Sequence, residues 1–369
     1  MRVLLVAPVP PPYGGMALQA RQLDQLLRHD GVDVDVLASN FSLPSSLKAV
    51  ERVPGVRTWL RAVLIWFRLW PRIGRADVVH VMAASWLYFF VAVYPAVLLG
   101  RVRGKRVVIN YRGGEAREFF QRYGWIASPA FTLARAITAP SEFLASAIRE
   151  HFGVAVSIVP NILDSSRFVY RARTEIRPTL LVTRHLEKMY DIESVLKACR
   201  LVQARHSDAT LWIAGGGSEE AHLRHLVSAW GLANVRFLGE VAHEDLPAIY
   251  DHCDIYLNGS LVDNFPGALL EASAAGLVVV STRAGGIPFL YEHARTAWLV
   301  EPGDWHGLAN AVEEVLESPS VALEMTKAAL TIVRACRWAE VRKRLYHSYG
   351  AEPGTGAGAS LQGARCAAG

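Results

Sequence analysis

Asp263-Asn264-Phe265-Pro266-Gly267-Ala268-Leu269-Leu270-Glu271-Ala272, followed by Gly276 and the apolar run Leu277 to Val280, is the stretch from which the rest of the chain can be read. Pro266 and Gly267 suit the start of a helix and Gly276 its end. The run after it has the composition of a buried strand, so the segment reads as a loop, a short helix and a strand. Asp263 then lies in the loop and Glu271 near the start of the second helical turn, beside the small residues Ala268, Ala272 and Ala275. Small neighbours let a ligand reach the helix, and the free N–H groups of its first turn attract an anion. A carboxylate able to accept two sugar hydroxyls next to a phosphate-binding helix end suits a nucleotide sugar. The plainer reading is a structural acidic residue on a crossover helix.

Outward from this segment, short β-rich runs alternate with helix-period segments. Candidate strands are Val3–Ala7, Val34–Ala38, Val78–Met82, Val107–Asn110, Ala136–Ala139 and Ser157–Val159, then Thr179–Thr183, Thr210–Ala214, Val235–Leu238, Ile255–Asn258 and Val278–Ser281. Between them, 17–27, 192–205, 219–230, 244–252 and 267–275 have helical spacing. This alternation means parallel sheets with crossover helices, and eleven strands are too many for one small sheet. The expected fold is α/β, with two doubly wound Rossmann-like domains, 1–170 and 171–336, facing a central cleft. Residues 171–177, polar and without apolar periodicity, read as the linker. Residues 337–349 read as a helix docking back on the body, and 350–369, rich in Gly and Ala, as a disordered tail.

The length of 369 residues and 51% hydrophobic content suffice for two cores. Four scattered cysteines with no CxxC pair argue against a disulfide framework or a zinc site and for a reducing cytoplasm. The net charge of +5 conceals an asymmetry: residues 1–170 hold 20 Lys/Arg against 11 Asp/Glu, and residues 171–369 hold 19 against 23. Within 42–75, seven basic residues face only Glu51 and interleave with Trp59, Trp66 and Trp70. That pattern reads either as an element lying on an anionic membrane surface or as a solvated helix whose tryptophans pack inward. Nucleic acid is not expected, because no recognised nucleic-acid module accompanies the charge. Residues 78–100 contain no Asp, Glu, Lys or Arg, long enough to span a bilayer. They read better as a strand, a turn and a helix, 86–99, interrupted by Pro95. The opening Val3 to Ala7 is stopped too early by Pro8, Pro10, Pro11 and Pro12 to be a signal peptide. Asp33-Val34-Asp35 imitates a metal-binding motif, but the flanking valines alternate as in a strand, and no metal is assigned there.

Motifs at the strand ends converge on phosphate chemistry. Gly14 and Gly15 follow the first strand and open a helical run; Gly215-Gly216-Gly217 does the same in the second half. Arg184 and Lys188 follow the first strand of the second half, the Arg suited to a forked phosphate contact and the Lys to a point charge. Fixed donors and cations of this kind can stabilise a departing diphosphate without a metal ion.

Taken together, Tyr13-Gly14-Gly15, Val159-Pro160-Asn161 through Asp164 and Phe168, Arg184, Gly215-Gly216-Gly217, Phe237-Leu238-Gly239, the 263–271 motif and Gly285-Gly286-Ile287-Pro288 resemble the family-4 glycosyltransferases of GT-B architecture, over roughly residues 1–349. The resemblance implies a retaining, metal-independent hexosyltransferase with no cofactor besides its nucleoside-diphosphate sugar donor. Its acceptor would be a glycan or a lipid-linked sugar, taken by the N-terminal domain. By position, Glu271 would hold the ribose hydroxyls, Asp263 would contact the donor sugar, and Arg184 the diphosphate. Asn264, Phe265, Pro266, Gly267, Ala268 and Leu269 would bind sugar and phosphates through the backbone, Gly14 and Gly15 would let the donor phosphate approach, and Gly239 and Val241 would border the base. Three positions depart from the family pattern. Asp263 stands where the first Glu is usual. Lys188 comes one place early, the usual positions being Met189 and Tyr190. Arg112, in Tyr111-Arg112-Gly113-Gly114-Glu115, stands where many members have His; it would meet the diphosphate or an anionic acceptor, or else simply pair with Glu115. A non-catalytic sugar-nucleotide-binding subunit and a GT-B-type epimerase remain the alternatives. The expected location is the cytoplasm, peripheral to the inner face of the membrane.

Overall fold

The computed structural model describes residues 1–11, 14–41 and 54–352, without the side chains of 54–59. The expected tail from 353, Tyr13, and the first part of the basic stretch, 42–53, lie outside the described residues. Two compact units emerge: Met1–Pro140 with Leu144–Ile162 and the chain from Val341 on, and Ser141–Phe143 with Leu163–Glu340. The principal change from one to the other falls between Ile162 and Leu163, where the sequence suggested 170.

Unit 1 holds β1 (Arg2–Ala7), α1 (Gly15–His29), β2 (Asp33–Ala38), α2 (Pro54–Arg75), β3 (Val78–Ala83), α3 (Tyr94–Val102), β4 (Arg106–Tyr111), α4 (Ala116–Leu133), β5 (Ala136–Ala139), α5 (Glu142–Phe152, from Leu144 on) and β6 (Ser157–Ile158). The strands form one sheet in the order β2-β1-β3-β4-β5-β6, parallel throughout. The Asp33-Val34-Asp35 segment is part of β2, as its alternation implied. The helix expected over 86–99 runs on without a break: a π-helical turn, Phe89–Val93, passes directly into α3 through Tyr94, whose N–H donates to the Phe89 carbonyl, and Pro95, which has no N–H to donate, follows at once.

Unit 2 holds β7 (Thr179–Thr183), α6 (Ile192–Arg205), β8 (Thr210–Ala214), α7 (Glu220–Ala229), β9 (Val235–Gly239), α8 (Leu246–His252), β10 (Ile255–Asn258), α9 (Gly267–Ala275), β11 (Val278–Thr282), β12 (Trp298–Val300), α10 (Trp305–Glu317) and α11 (Pro319–Ala335). Its sheet, β12-β11-β10-β7-β8-β9, is also all parallel. The edge strand β12 was not expected: three residues give no periodicity to read. α9 is packed nearly all round, with Leu269, Leu270 and Ala272 to Ala275 buried. Burying each leucine contributes about 1.5–3 kcal/mol. Gly276 ends it at φ 82°, and a Cβ there would lie 2.5 Å from the Arg171 carbonyl oxygen, so both backbone and space require glycine.

The last helix, α12 (Trp338–Tyr349), belongs to unit 1 from Val341. Tyr349 Oη lies 2.8 Å from His80 Nδ1 on β3, and Arg106 Nε donates to the Ser348 carbonyl at 2.8 Å.

Residues 171–177, expected as a linker, are instead fastened to unit 2. Arg173 is 1% exposed and donates to the carbonyls of Tyr250, Cys253 and Ala275, capping the end of α9. Asp254, wholly buried, accepts from Arg171, Arg173 and Arg177. Burial alone would raise its midpoint, but hydrogen bonds and charge from Arg177 and Arg171 outweigh that and hold it below the usual carboxylate range. A depressed folded midpoint adds stability above the unfolded carboxylate range and loses it as the pH falls. Asp254→Ala, which strands Arg173 without a counter-charge, is expected to cost about 3–5 kcal/mol in urea unfolding at neutral pH and to flatten the acid limb of the stability curve. An unchanged urea midpoint would contradict this account of the segment.

Candidate functional site

In unit 2 the strand order reverses between β7 and β10, so the loops after these neighbouring strands run in opposite directions from their C-terminal ends, the place where open α/β sheets take ligands. Arg184 follows β7, Asp263 lies in the loop after β10, and α9 begins at Gly267. Arg184 Nη2 donates to Asp263 Oδ2 at 2.7 Å and Nε to Asn258 Oδ1 at 3.2 Å. Both charged side chains are about nine-tenths buried. Burial works against the Arg184 charge, but the Asp263 carboxylate more than compensates and raises its midpoint. Tyr190 lies under the guanidinium, ring centre 5.0 Å from Cζ, one of the two positions where the resemblance led us to look for a lysine.

The loop carrying Asp263 is fixed from both sides. The Phe265 N–H donates to Asp263 Oδ1 at 3.2 Å, and the Gly286 N–H donates to the Asp263 carbonyl at 2.7 Å. A Cβ on Gly285 would approach that carbonyl oxygen to 2.2 Å, and one on Gly286 would approach the Asn264 carbonyl oxygen to 2.0 Å. This crowding explains the paired glycines. Phe265, Leu269 and Leu270 pack into the core, while a Cβ on Gly267 would meet nothing within 4 Å. The first turn of α9, from Pro266 through Ala268, is therefore sterically open at Gly267.

Glu271 is half-buried on α9. Tyr250 Oη donates to its Oε2 at 2.9 Å and lies 2.6 Å from Thr183 Oγ1, which in turn is 3.2 Å from Tyr256 Oη. One carboxylate oxygen is thus held by a chain of hydroxyls. Burial raises the Glu271 midpoint to about 7, against opposing pulls from the Tyr250 hydrogen bond and the charges of Arg184 and Arg167. Tyr250, Thr183 and Tyr256 were missed in the sequence, where α8 and the strands read simply as core.

The remaining candidates are spread more widely. Gly215 lies at φ 142°, and its Cβ would be 1.9 Å from the Arg184 carbonyl oxygen; that of Gly217 would be 2.4 Å from the Leu186 carbonyl oxygen. Close packing on the chain after β7 accounts for both. Gly216 faces Glu240, and Gly239, ahead of Val241, ends β9 with open space at its Cβ position. Lys188 is exposed and lines a separate hollow of about 490 Å³ with Glu187, Asp191, Glu193, Glu219 and His222. In unit 1, Gly14 is the N-cap of α1, and Gly14 and Gly15 have nothing within 4 Å of a Cβ.

Arg112, at the end of β4 in unit 1, is not paired with Glu115, which corrects that expectation. Glu115 accepts from the Trp86 indole, whose residue is held at φ 63°, while Arg112 Nη1 donates to Asn161 Oδ1. Arg112 Nε is buried and has no hydrogen-bond partner, and no ion pair to a carboxylate is found for it among the described residues. Burial pulls its midpoint down to about 10.

Residues 167–331 match the family model for glycosyl transferases group 1, and residues 13–167 that for glycosyltransferase family 4. Glycogen synthase of Mycobacterium tuberculosis is 27% identical over 388 residues, covering 89% of each chain. A GDP-mannose-dependent alpha-(1-6)-phosphatidylinositol monomannoside mannosyltransferase of the same organism is 29% identical over 307 residues, 74% of this chain and 77% of that one. Among solved structures, Anabaena Alr3699/HepE in complex with UDP superposes with a TM-score of 0.72 at 17% identity, covering 95% of this chain and 99% of that one. Sucrose-phosphate synthase from Thermosynechococcus elongatus gives 0.73 at 18%, covering 95% and 98%.

A carboxyl whose folded midpoint lies above its unfolded value opposes folding once ionised, so Glu271 lowers stability as the pH climbs from 4.5 to about 7. Tyr250→Phe keeps the ring and removes the donor that favours the ionised form. A carbon-detected NMR titration of Glu271 is expected to place its midpoint about one pH unit higher in this variant. An unmoved midpoint would mean that the hydroxyl chain does not govern the carboxylate.

Proposed function

The chain belongs to the family-4 glycosyltransferases, with their GT-B fold of two Rossmann-like domains, and on that basis we propose that it moves a hexose from a nucleoside-diphosphate sugar to a glycan or lipid-linked sugar, with retention of the anomeric configuration. The observation that carries the proposal is the grouping of Arg184, Asp263, the open first turn of α9 and Glu271 around the strand-order switch of unit 2.

In this reading unit 2 takes the donor. Glu271 has Oε2 committed to Tyr250 and turns its other oxygen to the ribose hydroxyls. The helix start from Asn264 to Leu269 supplies N–H groups for the phosphates, and Arg184 stabilises the charge that grows on the diphosphate as the glycosidic bond breaks. Asp263 balances Arg184 before the donor arrives and then meets the sugar. The acceptor's proton passes to the departing phosphate, so no side chain need act as a covalent nucleophile, and two fixed positive sources, Arg184 and the helix dipole, replace a metal ion. Unit 1 takes the acceptor, and Arg112, a cation with no carboxylate partner among the described residues, suits an anionic group on it. Two of the relatives are named as a glycogen synthase and a mannosyltransferase, and HepE binds UDP, which supports a nucleotide-sugar donor here. Cys199, Cys253 and Cys336 are buried and form no disulfide, in keeping with the proposed cytoplasmic location.

Thermal-shift titration with UDP, GDP and ADP sugars is expected to single out one base; a ligand at 100 times its Kd adds about 2.7 kcal/mol of apparent stability. With that donor, Glu271→Ala is expected to lower transfer by at least about 100-fold, roughly 2.7 kcal/mol of transition-state stabilisation, while remaining folded. EDTA is expected to leave the wild-type rate unchanged. A fully active Glu271→Ala enzyme would reject the site, and loss of activity in EDTA would reject the metal-free mechanism.

A further inference from the structure

The basic, aromatic helix α2 does not turn all its rings inward. Ile65, Leu69 and Ile73 are buried against unit 1, whereas Trp66, Phe67 and Trp70 on the same helix are 38%, 72% and 45% exposed. The α3–β4 turn lies beside them and was no part of the sequence signal. Arg103 from this turn stacks its guanidinium 3.6 Å from the centre of the Trp70 ring, and its Nη1 lies 3.1 Å from the Cβ position of Gly74. Val102 between the two arginines is 67% exposed. Residues 54–75 contain five arginines and 101–106 contain Arg101, Arg103, Lys105 and Arg106, with no Asp or Glu in either segment. The result is a strip of exposed rings and a valine beside cationic side chains, built from two elements distant in sequence.

We propose that this composite face of unit 1 docks on the surface of an anionic phospholipid bilayer. Cations would attract the negative surface, and Trp66, Phe67, Trp70 and Val102 would enter the headgroup boundary, where Trp is favoured. Exposed rings lying among cations on one helix face fit a fluid, negatively charged layer that parts around them. The absence of acidic residues from both segments matches a partner of uniform negative charge rather than one with alternating sites. Among the described residues no helix is long and apolar enough to cross a membrane, so the contact is one of lying on the surface.

The test is co-sedimentation of the full chain with vesicles of phosphatidylcholine alone and of phosphatidylcholine mixed with phosphatidylglycerol. Binding is expected only to the mixed vesicles, and to fall by at least about tenfold between roughly 0.05 and 0.5 M NaCl. Charge reversal of the turn, with Arg101→Glu, Arg103→Glu and Lys105→Glu together, should weaken it by on the order of 100-fold, at about fivefold per basic residue. Phe67→Ser with Trp70→Ser should weaken it by at least about tenfold without changing the thermal midpoint by more than a few degrees. If the ring variant misfolds, the turn variant alone decides, since Arg101 and Arg103 are exposed and Lys105 is only half-buried. Three results would overturn the proposal: equal binding to neutral vesicles, no binding to mixed vesicles at low salt, or turn-variant binding equal to wild type. An acidic protein partner would give the second.

Discussion

The ion pair between Arg184 and Asp263 is the constraint on which the candidate site depends. It joins the end of β7 to the loop after β10 across the point where the strand order of the second sheet reverses. A pair so thoroughly removed from water has a large desolvation cost, offset in part by further hydrogen bonds: Arg184 Nε donates to Asn258, and Asp263 accepts from the Phe265 N–H. Break one partner and the other is left as a buried bare charge. The pair and the Gly286 N–H together fix the loop that leads into α9, the helix that carries Glu271.

Two kinds of electrostatic preparation meet there. Arg184 is held charged by its carboxylate partner, with Nη2 and Nε committed and Nη1 without a partner among the described residues. Glu271 is the reverse case, a carboxyl pushed by burial to a midpoint of about 7, so that both of its forms are populated near neutrality. The hydroxyl chain through Tyr250 and Thr183 supports the ionised form without adding a charge. A cation and an adjustable acid side by side suit the donor proposed above, anionic at one end and rich in hydroxyls at the other.

Much of this was legible before any coordinates. Helix α9 runs from Gly267 to Ala275 as read, because Pro266 and Gly276 mark its ends in chemical terms that packing did not override. The parallel sheets followed from β-branched runs buried on both faces, which leave a strong local signal. What escaped was set by long-range contact. Tyr250 has the helical spacing of a core residue, and nothing local shows that its hydroxyl reaches a carboxylate on another helix. Arg173 sits in a polar, aperiodic segment that looks like a linker until three carbonyls and Asp254 are brought around it. Glu115 is near Arg112 in sequence but is taken by Trp86, whose left-handed backbone no residue preference would suggest. The outward rings of α2 belong to the same class, since helical periodicity gives a stripe but not which neighbour covers it.

The account reduces to a geometric claim about unit 2: the donor's diphosphate lies against Arg184 and the open start of α9, and its ribose lies against Glu271. A crystal structure of the enzyme soaked with its preferred nucleoside diphosphate tests that claim most directly. The account predicts ribose hydroxyls within hydrogen-bond distance of the Glu271 carboxylate and a phosphate oxygen on Arg184. A bound nucleotide that leaves both side chains untouched would contradict it.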